Sequence, residues 1–314
     1  MTSSEFPPAI ALMGPTASGK TRLAIQLARE MDGEIISVDS GLVYRGMDIG
    51  TAKPSLAERE GVPHHLIDIL DPAEAFSTGQ FRERAVALIE EITSRGRLPL
   101  LVGGTMLYFN ALFHGIAQLP SADPDMRRLI DEGAAQLGWV KLHEELGKVD
   151  PQAAGRIHPN DPQRIQRALE VYRITGIPLT ELCARAESVR PPFEFIRLIL
   201  APADRGALGE RIRQRFLSML ESGLLEEVRK LFERGDLYEH MPSMRAVGYR
   251  QVWSYLKGEQ DYGTMVERGV IATRQFAKRQ YTWLRRERSA LAYLSEDEAL
   301  LEKVLRDVEP LCRR

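Results

Sequence analysis

The stretch Gly14-Pro15-Thr16-Ala17-Ser18-Gly19-Lys20-Thr21 meets the phosphate-binding loop pattern G-x-x-x-x-G-K-[ST] at every fixed position. Its flanks suit it. Ala9 to Met13 reads as a short buried strand, and Arg22 to Met31 as a helix. Gly14 and Gly19 let the backbone wrap so that successive N–H groups face an anion, and the new helix adds its positive end. Lys20 brings a mobile point charge, and the Thr21 hydroxyl is the customary ligand for a magnesium ion shared with the phosphates. The whole octapeptide, Gly14, Pro15, Thr16, Ala17, Ser18, Gly19, Lys20 and Thr21, is therefore the expected cradle for a di- or triphosphate. The motif alone identifies neither the compound nor the group that moves.

Working outward, Glu34 to Ser40 reads as a second strand ending in Asp39, and Leu98 to Val102 as a third, followed by Gly103-Gly104-Thr105. A helix is expected from about Thr78 to Arg95. Strands alternating with helices predict a parallel sheet covered on both faces, with ligands beyond the carboxyl ends of the strands. The third strand lacks the aspartate that nucleotide-hydrolysing relatives of this loop place there for magnesium. The acid stands instead at Asp39, where nucleotide kinases of this build commonly present their acceptor. Asp39 is thus expected to face a nucleophile, a turn or capping aspartate being the competing reading.

The fold class is α/β, a P-loop kinase-like parallel sheet flanked by helices, with a helical insertion. Asp123-Pro124 and Asp161-Pro162 each place an N-cap before a helix-opening proline. The helix from Gln163 to Thr175 carries an apolar stripe of Ile165, Ala168, Leu169 and Tyr172, with Arg164 and Arg167 off it. Strand character resumes at Phe195 to Leu200. Residues 1–115 and 196–288 are expected to form the core, 116–195 the insertion and 289–314 a small peripheral helical tail. One helix from Ala207 to Arg234 should bury Leu208, Ile212, Phe216 and Met219, leaving Arg215 at the edge of the stripe to find an anion or reach water. A last helix, about Thr264 to Glu287, sets Arg274, Lys278, Tyr281 and Arg285 on one face. Residues 205–288 hold 17 Lys and Arg against 11 Asp and Glu, in a chain of 314 residues whose net charge is −2. That local excess fits a phosphate backbone, although a solvated charged face remains open. Two cysteines, no basic-apolar leader and no long apolar run predict a cytoplasmic protein without disulfides or membrane contact.

Several runs together resemble the bacterial tRNA dimethylallyltransferase, or isopentenyl-tRNA transferase, family. They are the phosphate loop, Ser37-Val38-Asp39-Ser40, Met47-Asp48-Ile49-Gly50-Thr51-Ala52-Lys53-Pro54, Pro63-His64-His65-Leu66-Ile67-Asp68 and Val102-Gly103-Gly104-Thr105. Ile157-His158-Pro159-Asn160-Asp161, Val247-Gly248-Tyr249-Arg250-Gln251 and Thr273 to Gln280 complete the set. The resemblance implies that the cradled diphosphate is dimethylallyl diphosphate and that its five-carbon group goes to N6 of adenosine 37, beside the tRNA anticodon. Thr16, Ser18, Lys20, Thr21 and Arg215, with Mg2+, would stabilise the departing pyrophosphate. Asp39 would take a proton from N6, and Thr105 would help hold the acceptor base or the phosphate. The family match assigns tRNA contacts to Asp39, Ser40, Gly41, Leu42, Thr105, Arg127, Gln163, Arg164, Ile165, Gln166, Arg167, Arg245, Ala246, Val247, Gly248, Tyr249 and Arg250. The adenine must leave its stack to react. His64 and His65 are expected to be structural, and no cysteine-histidine set supports the zinc finger of some eukaryotic members. The implied partners are the tRNA anticodon stem-loop and dimethylallyl diphosphate, met by a monomer. A kinase using the same loop for ATP, an adenylate isopentenyltransferase and a nucleotide-switched RNA-binding module are the competing readings.

Overall fold

The computed structural model describes residues 6–117, 119–185 and 191–312. The chain's first residues and parts of the expected insertion and tail (1–5, 118, 186–190, 313 and 314) lie outside them. The sheet has six parallel strands: β1 (Pro8–Met13), β2 (Gly33–Val38), β3 (His64–His65), β4 (Leu98–Gly103), β5 (Glu194–Ala201) and β6 (Leu291–Leu294). Their spatial order is β3-β2-β4-β1-β5-β6. Ala9 to Met13 are all fully buried, as a central parallel strand with helices on both faces requires. Helices α1 (Lys20–Glu30), α2 (Thr78–Ser94) and α3 (Met106–His114) follow β1, β3 and β4. The start of α2 is set by a capping box, with Ser77 accepting from Gln80 N and the Gln80 side chain accepting from Ser77 N.

Two compact units divide the chain, one running to Phe113 and resuming at Pro191, the other covering His114–Arg190. The second unit holds α4 (Pro124–Leu137), α5 (Trp139–Val149), α6 (Pro151–Arg156), α7 (Pro162–Thr175) and α8 (Leu179–Arg185). Asp123 and Asp161 cap α4 and α7 ahead of their prolines. Ile130, Leu142, Leu146, Ile165 and Leu169 form this unit's apolar core. Glu170 is fully buried beside it and accepts from Asp123 N, from Arg127 Nε and Nη2, and from Arg167 Nη1 at 2.6–3.1 Å. Burial would raise its carboxyl, but the hydrogen bonds from Arg127 and Arg167 win and hold it below the ordinary glutamate value.

In the first unit α9 (Arg205–Glu221) and α10 (Leu224–Glu233) replace the single helix expected from Ala207 to Arg234. Gly223 adopts φ 104° between them, a conformation that ends one helix and starts another at little cost only for glycine. Then come α11 (Tyr249–Leu256) and α12 (Tyr262–Leu284). Residues 289–314 are not the peripheral helix of the sequence reading. Leu291 to Leu294 pair with Leu198 to Ala201 as the last strand, and α13 (Leu300–Cys312) buries Val304 and Val308 against Leu12, Leu27 and Leu198. A four-residue strand whose side chains are mostly exposed leaves no periodic signal. No helix among the described residues is long and apolar enough to cross a membrane.

Replacing Glu170 by alanine leaves two guanidinium groups and a peptide N–H without their acceptor. Urea unfolding of the Glu170→Ala chain should show a loss of about 2–4 kcal/mol. A loss under about 0.5 kcal/mol, the level of an ordinary surface change, would remove this cluster as a stabilising centre.

Candidate active site

Three loops open from the carboxyl ends of neighbouring strands: the phosphate loop after β1, Asp39-Ser40-Gly41-Leu42 after β2 and Gly104-Thr105 after β4. They meet at a cavity of about 730 Å³ whose wall also includes Ser37, Thr51 to Pro54, Ile67, Arg215 from α9 and Phe276 and Gln280 from α12. Within the phosphate loop Ala17 takes φ 61° and Gly19 φ 84°, the left-handed turns that let a loop present its peptide N–H groups inward. The Ala17 methyl packs on Leu208, Ile212 and Ala277, seating the loop on α9 and α12. Lys20 Nζ donates to Pro15 O at 2.6 Å. Ser18 Oγ and Ser37 Oγ are buried in the cavity wall with no hydrogen-bond partner.

Asp39 is half-buried, and its Oδ1 accepts from Gly41 N at 2.8 Å. Thr105 Oγ1 accepts from Ser40 N at 3.1 Å, so the loop after β4 holds the loop after β2. Burial drives the Lys20 amine down to about 7; the Asp39 carboxylate opposes that fall and Arg215 adds to it. Arg215 is also pushed down by burial, against the pull of Asp39. Two basic groups weakened by burial therefore face one carboxylate, and an incoming anion would favour the charged form of each. Among the described residues no group of three or more His, Cys, Asp or Glu side chains could hold a metal ion. Thr21 is exposed at the cavity mouth, a hard oxygen donor of the kind magnesium takes when substrate phosphates and water fill its other positions.

Gly14 to Thr21, Asp39, Leu42 and Arg215 come together around this cavity or in its loops, with Ser40 and Gly41 beside Asp39 and Thr105 bonded to Ser40. Two of the residues expected to touch RNA are placed otherwise. Ile165 is in the core of the helical unit, and Tyr249 is buried with its hydroxyl bonded to Glu227, so neither side chain is on a surface. Gly248 is likewise buried, its N–H donating to Gln251 Oε1, while Ala246 and Val247 are half-buried. Arg245 and Arg250 are exposed. On the helical unit Gln163 and Arg164 are exposed and Gln166 is half-buried, its amide donating to Asp131 at 2.7 Å. Arg127 and Arg167 hold Glu170, and Arg167 also donates to Pro120 O at 2.7 Å. His64 Nδ1 bonds Val62 O at 2.8 Å, and His65 Nε2 lies 2.6 Å from Glu34 Oε2, a carboxylate that Arg95 and Arg97 also hold.

Two residues escaped the sequence reading. Glu227 on α10 accepts from the peptide N–H groups of Asp48, Ile49 and Gly50 at 2.8–3.1 Å and so pins the loop that carries Thr51 to Pro54 into the cavity wall. Nothing in its helix distinguishes it from its neighbour Glu226. Gln280 donates to Gly104 O and accepts from Thr16 N, each at 2.9 Å. A polar residue on the buried stripe of Ala277 and Leu284 was the available signal.

The strand order, the phosphate loop between β1 and α1, and the carboxylate after β2 define a P-loop enzyme of kinase-like topology. Residues 42–287 match the family model described as IPP transferase, and the chain belongs to that family. It is 61% identical over 308 residues to a tRNA dimethylallyltransferase of Methylococcus capsulatus, covering 98% of this chain and 99% of the relative. A tRNA dimethylallyltransferase of Nitrosococcus oceani is 57% identical over 303 residues, with 96% of each covered. Among solved structures, a tRNA isopentenylpyrophosphate transferase from Bacillus halodurans aligns with TM-score 0.72 at 38% identity, over 98% of this chain and 97% of that one. A eukaryotic dimethylallyltransferase described as acting on tRNA aligns with TM-score 0.82 at 28% identity, over 98% of this chain and 80% of its own.

The depressed Lys20 amine has a measurable consequence. At pH 8 the free amine is mostly neutral; a bound diphosphate favours its charged form, so binding should draw in up to one proton at this group. At pH 6 the amine is already charged and should take up none. Calorimetric titration with magnesium pyrophosphate in two buffers of different ionisation heat reads the net proton number, to which pyrophosphate also contributes, and Lys20→Met should take up fewer protons than the parent at pH 8, by up to one. Equal uptake by parent and variant would show that Lys20 is charged in the free protein.

Proposed function

We propose that this chain transfers the dimethylallyl group from dimethylallyl diphosphate to N6 of adenosine 37 in tRNA and releases pyrophosphate. The observation that carries the reading is the pairing of Lys20 in the phosphate loop with Asp39 across one cavity, the aspartate standing on a strand end separate from β4. The bond that breaks joins the allyl carbon to a diphosphate oxygen, and the bond that forms joins that carbon to N6. The nitrogen loses a proton as it gains the carbon. Gly41 N–H engages Oδ1 of Asp39, which leaves Oδ2 to receive that proton. Lys20, Arg215 and the inward peptide N–H groups answer the charge that grows on the departing diphosphate. Thr105 acts through the Ser40 N–H, keeping the Asp39 loop in place. Magnesium, when bound, neutralises diphosphate charge, with Thr21 as its protein ligand.

A kinase uses the same loop, but the end of β4 in Gly103-Gly104-Thr105 offers no acid for a nucleotide's metal. Membership of the IPP transferase family and relatives named for tRNA support a macromolecular acceptor. The exposed Arg245, Arg250, Gln163 and Arg164 are its contacts, and the exposed faces of Arg127 and Arg167, oriented by Glu170, present two more guanidinium groups to phosphate. The enzyme is read as a cytoplasmic monomer.

The deciding experiment incubates the protein with magnesium, dimethylallyl diphosphate and unmodified tRNA carrying adenosine at position 37, beside a tube with ATP and free AMP. Prenylated tRNA is the expected product by mass spectrometry. Prenylated AMP or ATP turnover without prenylation would overturn the reading. Asp39→Ala should slow single-turnover prenylation by roughly 10²–10⁴-fold while tRNA affinity holds. Arg164→Ala, at an exposed arginine 3.4 Å from Asp161, should weaken tRNA binding and lower the slope of log K against log salt by about 0.7–0.9; an unchanged slope would return Arg164 to ordinary solvated charge.

A further inference from the structure

The long helix α12 carries a glutamine where its buried stripe calls for an apolar side chain. Ala277, Gln280 and Leu284 share that stripe, and Gln280 is only 4% exposed. Both ends of its amide are occupied, and neither by its own helix. Oε1 accepts from Thr16 N and Nε2 donates to Gly104 O, both at 2.9 Å. Reversing the amide would set donor against donor and acceptor against acceptor, so the two partners fix its orientation. The fit is close enough that a Cβ on Gly104 would stand 2.2 Å from Nε2.

The two partners belong to opposite sides of the reaction. Thr16 lies in the loop for the diphosphate. Gly104 precedes Thr105, whose hydroxyl holds Ser40 N–H next to Asp39. A single buried amide therefore spans the donor side and the acceptor side of the cavity. We propose that Gln280 is a positioning residue that sets the spacing between the diphosphate loop and the Asp39 loop. It keeps the Thr16 N–H and the Gly104 carbonyl both turned to α12. This inference rests on reading the cavity as the prenyl-transfer site.

Gln280→Glu tests it with little change of shape. An ionised carboxylate still accepts from Thr16 N–H but opposes the Gly104 carbonyl. A protonated one accepts with its carbonyl oxygen and donates with its hydroxyl, restoring both bonds. The charged and titratable groups of the cavity that Gln280 lines are Lys20 and Arg22 on α1, Asp39 after β2, Lys53, Glu58, Glu60 and His64 further along the chain, and Arg215 on α9; on α12 itself they are the exposed Lys278 and Arg279 and half-buried Tyr281. Gly103, Gly104 and Thr105 bring none. Magnesium pyrophosphate affinity would be measured by calorimetry at pH 8 and pH 5.5 and expressed as the ratio of variant to parent, because Lys20 and pyrophosphate titrate in both.

Gln280→Glu should bind roughly tenfold or more weakly than the parent at pH 8 and within about threefold of it at pH 5.5. Gln280→Leu should be weak at both pH values. Gly104→Ala, which intrudes on the amide from the other side, should behave like Gln280→Leu. A pH-independent ratio for Gln280→Glu, or parent-like affinity in Gly104→Ala, overturns the proposal. Reversal on returning each sample to the other pH separates protonation from loss of fold. Prenylation of an anticodon stem-loop RNA by the same proteins keeps the two readings apart. pH rescue of pyrophosphate binding, with no prenylation by the parent, retains the Gln280 bridge and removes prenyl transfer.

Discussion

Where β4 passes β2 the backbones approach so closely that a Cβ on Gly103 would stand 2.0 Å from Val38 O. On the far side of β1 the same crowding recurs, since a Cβ on Gly14 would stand 2.2 Å from Leu200 O. These contacts let β2, β4 and β1 end level, with Val38 opposite Gly103 and Gly103 opposite Met13. Three loops then leave the sheet from one line, and each can reach the others without a long arm. The site is a property of the sheet's edge more than of any loop taken alone. A larger residue at either glycine would spread the strand ends and separate groups that now act across a few ångströms.

The charge arrangement follows from that convergence. Burial lowers the pKa of both Lys20 and Arg215, and the Asp39 carboxylate opposes that fall in each. Buried hydroxyls of Ser18 and Ser37 add polar atoms whose partners the protein does not supply. A cavity with buried basic groups and unmet hydrogen-bonding groups is incomplete until an anion rich in oxygen enters. The ligand-free loop meets part of that need itself, through the bond from Lys20 to Pro15 O.

Much of this was legible in the sequence because it is local. The phosphate loop, the aspartate at the end of β2, the glycine pair after β4 and the Asp-Pro helix starts are all read within a few residues. Three kinds of feature were not. The break at Gly223 falls inside a continuous apolar period, where a glycine is compatible with a helix as well as with its end. The strand Leu291–Leu294 owes its existence to pairing with β5, almost a hundred residues earlier in the chain. Gln280 meets Thr16 across nearly the whole sequence, and no local pattern reports such a contact. Ile165 and Tyr249 show the opposite error. A family motif lists residues that stand together in the chain, but a helix turns every third or fourth of them inward, and those two support the surface without belonging to it.

Glu227 holds the loop from Asp48 to Gly50 through three peptide N–H groups, in the manner of a phosphate loop closed on a carboxylate of its own chain. The grip is made on the main chain, and at Gly50 it leaves room for no side chain, since a Cβ there would stand 2.4 Å from the Tyr249 ring. Thr51, which follows directly and lines the cavity, adds a hold of its own, its hydroxyl donating to Met47 O at 2.6 Å, and Ala52 beside it takes φ 51°, a conformation that disfavours bulkier side chains. The wall and its lining are therefore one object: a change of side chain here is also a change in the path of the main chain.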